Sequence, residues 1–253
     1  MKEHSAIQYV ELFHLLLLDQ LGRKLDKRFY VLKGGCNFRF YFRSFRYSED
    51  ADLDVDQEYP KEKLQDRVES ILSSVPFRQI LQTRGIGIKR WTDSKQTETT
   101  QRWKFNLTVP QYDLTLPTKI EFSRRGMDPG TVFEPIDANI INDYQLSPIL
   151  LNHYNPHTAY EQKLQALITR STTQARDIFD LYLLINSGVD VSVSNHSLKN
   201  RLPEAQSNAL AIDFNVFKSQ VLSYLHPEYR DQYDSQSVWE SIVLNVVEAI
   251  VEG

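Results

Sequence analysis

The stretch Lys33-Gly34-Gly35-Cys36-Asn37-Phe38-Arg39, followed at short range by Arg46-Tyr47-Ser48-Glu49-Asp50-Ala51-Asp52-Leu53-Asp54, constrains this chain more than any other. Polar and apolar residues alternate between Ala51 and Val55. Successive side chains of a strand point to opposite faces, so Asp50, Asp52 and Asp54 share one face while Ala51, Leu53 and Val55 share the other. A run of acids usually marks a solvated surface, but this run has an apolar reverse side and therefore reads as a half-buried strand on which carboxylates converge. Two like unit charges roughly 4 Å apart repel by about 4 kcal/mol at an effective dielectric of about 20, unless a cation lies between them. Magnesium is the expected cation, with manganese as the alternative. It takes oxygen ligands, commonly one or two protein carboxylates, and completes its shell with water and phosphate oxygens.

The glycine pair supplies the other half of the pattern. Phe29-Tyr30-Val31-Leu32 has the aromatic and β-branched character of a strand, and Cys36 to Phe45 reads as the helix that follows. Gly34 and Gly35 then occupy the junction, where the absence of a Cβ lets a ligand approach the backbone and the free amides of the first helical turn face an anion. A glycine pair by itself marks a turn. The acidic strand just after it is what suggests a cradle for a triphosphate and its metal.

These segments resemble the AbiEii-type nucleotidyltransferase toxins of bacterial type IV toxin-antitoxin systems, a family that includes the MenT toxins. The resemblance continues through Glu161-Gln162-Lys163-Leu164-Gln165-Ala166-Leu167, Arg170, Arg176-Asp177 and Asp180-Leu181. It implies an α+β fold: a DNA polymerase β-like nucleotidyltransferase mixed sheet with flanking helices over residues 1–137, then a mainly helical domain over 138–253 that completes the active site. It also implies that Asp50 and Asp52 are the metal pair, and that Lys163 with Asp177 or Asp180 joins the catalytic group. Lys33, Gly34, Gly35, Cys36, Arg46, Ser48 and Lys163 are the implied nucleotide contacts. Cys36, Asn37 and Ala51 depart from the small or apolar, apolar, and β-branched residues common in the family at those places. None of the three removes a reacting group.

A nucleotidyltransferase sheet needs a third acid on a strand beside the metal pair, as general base toward the acceptor hydroxyl or as part of the metal shell. In Lys119 to Phe122 the residues Ile120 and Phe122 face one way and Lys119 and Glu121 the other, which makes Glu121 the first choice and Asp113 the second. Further along, Lys163 and Arg170 fall near one helix side, and Asp177 and Asp180 at a spacing of three can orient that lysine. Charges so arranged are ordinarily a surface salt-bridge network worth little stability.

The expected activity is transfer of a nucleoside monophosphate from an NTP to an acceptor hydroxyl such as a tRNA 3′ end, by the toxin of a pair whose antitoxin is a further partner. A small-molecule hydroxyl acceptor, or a nucleotide-binding or partner-binding module without turnover, are the competing readings. A net charge of −4 argues against a broadly basic nucleic-acid-binding protein. It leaves room for local basic ground around Arg84, Lys89, Arg90, Lys95, Arg102 and Lys104, interleaved with Trp91 and Trp103, which reads either as a phosphate-holding and base-stacking surface or as a hairpin whose aromatics cover the core. One cysteine excludes an internal disulfide, and Cys36 reads as a small buried residue. No long apolar run or signal sequence opens the chain, so a cytoplasmic protein without membrane contact is expected.

The remaining elements follow from periodicity. Helices are expected over Ala6 to Leu21 and from Pro60 to Ser73, the latter stopped by Pro76. Strand character runs over Gln79 to Lys89, Trp103 to Val109 and Lys119 to Phe122. Helices recur at Tyr160 to Arg170, Asp177 to Ile185, Ile212 to Leu225 and Val238 to Val251, with Ser187 to Asn208 as a connector. His153 and His157, separated by Pro156, read as a surface loop.

Overall fold

The computed structural model describes residues 4–109 and 112–252. Its chain divides into two compact units, Met1–Tyr41 with Tyr47–Tyr154, and Phe42–Arg46 with Asn155–Gly253. Seven strands make one mixed sheet in the first unit: β1 (Tyr30–Lys33), β2 (Asp50–Val55), β3 (Gly87–Gln96), β4 (Thr100–Val109), β5 (Tyr112–Ser123), β6 (Thr131–Pro135) and β7 (Leu150–Tyr154), in the order β3-β4-β5-β2-β1-β7-β6. The expected α+β fold with a mixed sheet and a helical C-terminal region is what the chain adopts. Strand β2 runs antiparallel to β1 and parallel to β5, and β1 is parallel to β7.

The first unit extends to Tyr154, past the expected boundary at 137, because β6 and β7 hydrogen-bond into this sheet through pairs from Thr131 with Tyr154 to Pro135 with Leu150. His153 thus lies buried on β7, stacked on Tyr41 and bonded to Asn37, and is not in a surface loop.

Helices of the first unit are α1 (Ala6–Lys24), α2 (Gly34–Tyr41), α3 (Lys61–Ser73), α4 (Val75–Thr83) and α5 (Ala138–Asp143). Helix α1 buries an almost unbroken run from Tyr9 to Leu18, and it packs on α3, α4, β5 and β7. Its buried leucines meet Ala51, Leu53, Ile120, Phe122, Trp103 and Phe105, the apolar face of the sheet, in one core. Trp103 is fully buried there, so it covers the core and does not stack on a base. Helix α2 starts at Gly34 and ends at Tyr41, short of the expected Phe45, and Arg43 just beyond takes a φ of 56°, outside the helical region.

Pro76, expected to stop a helix, helps start one. Ser74 Oγ accepts the amide of Phe77, and proline in a first turn costs no intrahelical bond. The expected strand from Gln79 is accordingly α4, and strand structure begins only at Gly87.

The second unit comprises α6 (Pro156–Thr169), α7 (Ala175–Asn186), α8 (His196–Lys199), α9 (Leu202–Leu210), α10 (Phe214–Gln220), α11 (Pro227–Tyr233) and α12 (Gln236–Glu252). The expected connector from Ser187 holds α8 and α9, started by the Asn195 cap and by Pro203 in a first turn. The expected helix to Leu225 breaks after Gln220 into a short 3-10 turn. Phe42–Arg46 belongs to this unit: Arg46 bridges to Leu225, and Phe45 stacks on Tyr229.

His14, inside α1, has its Nε2 2.7 Å from Thr118 Oγ1. The Thr118 hydroxyl gives its one proton to the Glu49 carbonyl, so the histidine Nε2 must donate, and the neutral ring is the Nε2–H tautomer. Burial lowers its pKa to about 4, against an opposing pull from Asp50. As pH falls below the ordinary histidine value the unfolded chain takes a proton that the folded chain refuses, so stability is lost between about 6.5 and about 4. Urea unfolding at pH 7 and pH 4.5 is expected to show a loss from this group on the order of 3 kcal/mol, absent in His14→Gln. An equal loss in both proteins assigns the acid sensitivity elsewhere.

Candidate active site

Strand register assembles the polar face. Asp52 lies opposite Lys33 on β1 and Glu121 on β5, and Asp50 lies opposite Lys119. Next along, Glu121 is opposite Arg102 on β4. Directly opposed residues share a face, so Lys33, Asp50, Asp52, Asp54, Lys119, Glu121 and Arg102 make one charged surface above the core. Asp113 sits exposed near the start of the same strand as Glu121. At about 3.3 Å per residue it is roughly 26 Å distant, which leaves Glu121 as the third acid the sheet brings to the pair.

Three of these four acids already have internal partners. Lys119 Nζ is 2.7 Å from Asp50 Oδ2, and Arg102 Nε is 2.5 Å from Glu121 Oε2. Asp54 receives Lys33 Nζ at 2.5 Å and the Tyr154 hydroxyl at 2.8 Å. Asp52 alone, among the described residues, carries no such pair. Burial raises its pKa, and the neighbouring Asp50 and Glu121 carboxylates add to that against the pull of Lys119 and Lys33.

Gly34 explains how that carboxylate is accommodated. Its φ of +63° lies in the left-handed region, and a Cβ there would stand 3.1 Å from Asp52 Oδ2. The carboxylate therefore rests against the start of α2, where Gly34, Gly35 and Cys36 present amides without intrahelical acceptors. The side chains of Cys36 and Ser48 anchor the strand: the thiol and the hydroxyl both donate to the Asp50 carbonyl, at 3.2 and 2.8 Å, and so fix the first residue of β2. Burial, with Asp52 and Glu11 nearby, pushes the Cys36 thiol far up, so it is no nucleophile.

The donor set suits a hard divalent ion: an uncompensated, part-buried carboxylate, a second carboxylate two residues away on its face, and space that a Cβ would fill. Among the described residues no group of three or more histidine, cysteine or acidic side chains could hold a metal. The fit is to an ion carried by one or two carboxylates and by substrate oxygens, not to an all-protein cage. A separate cavity of about 470 Å³, lined by Leu72, Arg78, Leu81, Ile88 and Trp91, involves none of these residues.

Lys163, Asp177, Asp180 and Arg46 meet inside the helical unit. Lys163 Nζ, on α6, lies 2.8 Å from Asp177 and 2.7 Å from Asp180, both on α7 and fully buried. Arg46, expected among the nucleotide contacts, is itself buried and grips Asp180 with two bonds of 3.0 Å. Arg170 Nε stands 3.0 Å from Asp177 Oδ2 but out of line for a hydrogen bond, so it acts by charge. Burial drives the Asp177 pKa up, and Lys163 and then Arg170 outweigh it, leaving the group below the usual carboxylate range. Charges that would ordinarily form a surface network are here buried, and Lys163, an implied nucleotide contact, has its Nζ between the two carboxylates.

Sequence reasoning missed Lys119, Arg102 and Tyr154. Lys119 and Arg102 were visible as the polar members of alternating strands, but their pairing required the β4-β5-β2 register. Nothing local marks Tyr154, whose partner Asp54 is 100 residues away in sequence.

A mixed sheet with paired carboxylates set against a glycine-led helix fits the expected nucleotidyltransferase. A sequence model described as nucleotidyl transferase AbiEii toxin, type IV toxin-antitoxin system, matches residues 16–233, and the chain belongs to that family. Membership implies a nucleotide substrate and an antitoxin partner. Two solved structures share the fold: a candidate nucleotidyltransferase from Helicobacter pylori, 19% identical with a TM-score of 0.64 over 99% of this chain and 95% of the other, and JHP933 from Helicobacter pylori, 18% identical with a TM-score of 0.62 over 99% and 92%. A search of curated proteins finds no match. No helix among the described residues is long and apolar enough to cross a membrane.

Gly34→Ala is expected to cost about 1–2 kcal/mol for the left-handed backbone and to displace Asp52, so nucleotidyl transfer falls further than the denaturation midpoint explains. Lys163→Met removes the cation that the two buried carboxylates share, leaving Asp180 to Arg46 and Asp177 to Arg170, and is expected to cost about 3–5 kcal/mol in urea unfolding. Adding Asp177→Asn to it, whose remaining partner Arg170 reaches water, is expected to recover part of that loss; no recovery would show that the lysine matters for packing, not for charge.

Proposed function

We propose that this chain transfers a nucleoside monophosphate from an NTP to an acceptor hydroxyl at an RNA 3′ end of the tRNA kind, with magnesium as the required ion and manganese as a substitute. The observation that carries the reading is Asp52: an uncompensated carboxylate resting on Gly34 and in register with Glu121. Asp52 and Asp50 would hold the ion. When bound, it supplies charge neutralisation for the α-phosphate and for the departing pyrophosphate.

The chain's own groups account for the other requirements. Amides of Gly34, Gly35 and Cys36 at the start of α2 receive phosphate oxygens, as helix N-termini do. Lys33, held by Asp54 beside Asp52, adds a positive charge to that side. Glu121 takes the proton of the acceptor hydroxyl as its oxygen bonds to the α-phosphorus; the bond from that phosphorus to the bridging oxygen breaks, and pyrophosphate leaves with the electron pair. Arg102 fixes the Glu121 carboxylate in position for that transfer. Cys36 and Ser48 serve by anchoring Asp50. Within the helical unit, Lys163, Asp177, Asp180 and Arg46 form an ionic core that fixes α6 against α7.

Incubation with each labelled NTP and total RNA, with and without magnesium, is expected to label RNA only with the metal, and RNase treatment to remove the signal. Survival of the label after RNase would move the acceptor to a small molecule. Asp52→Asn keeps the shape and removes the charge, so it is expected to abolish incorporation and the magnesium-induced rise in Tm. The folded-state pKa of Asp52 is raised, so this group favours the fold below the ordinary carboxylate value and ceases to as pH rises through the raised one. Metal-free Asp52→Asn at neutral pH is therefore expected to melt no lower than the parent chain, and a lower Tm would show that the charge is not held at a cost.

A further inference from the structure

The edge strand β3 carries two irregularities against β4, between Ile88 and Arg90 and between Thr92 and Lys95. Their effect follows from the register. Ile88 pairs with Leu107 on the apolar face, and one strand residue later on β4, Asn106 faces the other way; an extra residue on β3 brings Arg90 opposite Asn106. Thr92 then pairs with Lys104 on the polar face, and a second extra residue brings Lys95 opposite Arg102. Without the first bulge, alternation from Ile88 would turn Arg90 inward; with the first bulge in place, alternation from Thr92 without the second would turn Lys95 inward. The first defect puts Arg90 on the face that bears the carboxylates, and the second restores Lys95 to that face.

The result is a continuous charged row. Asp52, Glu121, Arg102 and Lys95 stand abreast on β2, β5, β4 and β3. At about 4.8 Å per strand the row spans roughly 14 Å from Asp52 to the sheet edge. Beside it Lys119 and Lys104 form a parallel row. Arg90, Lys95 and Lys104 are exposed, and among the described residues they have no ion-pair partner, whereas Arg102 and Lys119 are spent on Glu121 and Asp50. Asn106 and Thr108 are the exposed residues next along β4, and they carry no negative charge. The nearest exposed acid on β3 is Asp93, within the second bulge.

We propose that the polar face of β3 and β4, centred on Arg90, Lys95 and Lys104, binds the phosphate backbone of the acceptor RNA and leads its end toward Asp52 and Glu121. This rests on the reading above that the acceptor is RNA. Two features favour a nucleic acid over an acidic protein. Among the described residues the patch is cationic and polar with no exposed large apolar side chain on that face, which suits phosphate contact and lacks what protein interfaces use for affinity. It also runs unbroken into the carboxylate row, so a ligand seated on it has its next atoms at the reacting groups.

The test is fluorescence anisotropy of a labelled single-stranded RNA with the full chain, without NTP, over a range of salt concentrations. Replacing Arg90, Lys95 and Lys104 by alanine is expected to weaken binding at least about tenfold near 100 mM salt. The slope of log affinity against log salt should fall by about 2, at roughly 0.7 per phosphate contact on a single strand. The NTP-induced Tm shift in magnesium serves as the control for folding and is expected to be unchanged; Lys104→Glu provides a single-site variant with the same expected direction. RNA affinity and salt slope equal to the parent's overturn the proposal, as does loss of polyglutamate binding with RNA binding retained, which would mark an acidic-protein site. If the parent binds RNA through these residues but labels no RNA with any NTP, the surface stands and the acceptor assignment falls.

Discussion

Charge compensation across four neighbouring strands governs the first unit. Bringing Asp50, Asp52, Asp54 and Glu121 onto one face would be costly if each carried its charge alone. Lys119, Lys33 and Arg102 come from the adjacent strands at the register positions that neutralise all but one. The remaining charge, Asp52, is the one pressed against Gly34, and the arrangement thereby concentrates its unmet electrostatic demand at a single point beside free helix amides. The unmet charge is localised because the acids around it are already paired.

The helical unit solves the same problem differently. Asp177 and Asp180 are taken fully out of water, where an unpaired carboxylate would be untenable, and three cations from separate segments, Lys163, Arg170 and Arg46, share them. Replacing such a cluster by apolar residues can be neutral, while breaking one partner is costly, so its value is geometric: it fixes α6, α7 and the segment carrying Arg46 in one arrangement. Phe45 stacking on Tyr229 anchors that same segment by packing.

The parts of the sequence that could be read were those with a short physical period. Alternation through Ala51 and Val55 showed which acids share a face, the glycine pair showed where the strand turns into a helix, and the residues around Glu121 showed its orientation. Element boundaries near prolines were misplaced, since Pro76 is compatible with stopping one helix or opening the next and only the Ser74 cap decides. The role of Arg46 was hidden because its partner, Asp180, lies 134 residues away. Cys36 and Ser48 were seen as belonging to the site, but their donation to the Asp50 carbonyl depends on how β2 begins after the loop, which no local pattern encodes. Partners across strands became visible only with the register.

That register also separates two tasks on one face. Strands β1, β2 and β5 are central, hydrogen-bonded on both sides, and their carboxylates are held to positions that side-chain flexibility can hardly alter. Strand β3 is an edge, where bulges are tolerated because only one neighbour must accommodate them. A chain that must keep the chemistry of phosphoryl transfer fixed while suiting a particular acceptor therefore has its rigid part at the sheet centre and its adjustable part at the rim. The two bulges are an adjustment of that kind: the first puts Arg90 on the charged face and the second keeps Lys95 there, without moving Asp52 or Glu121.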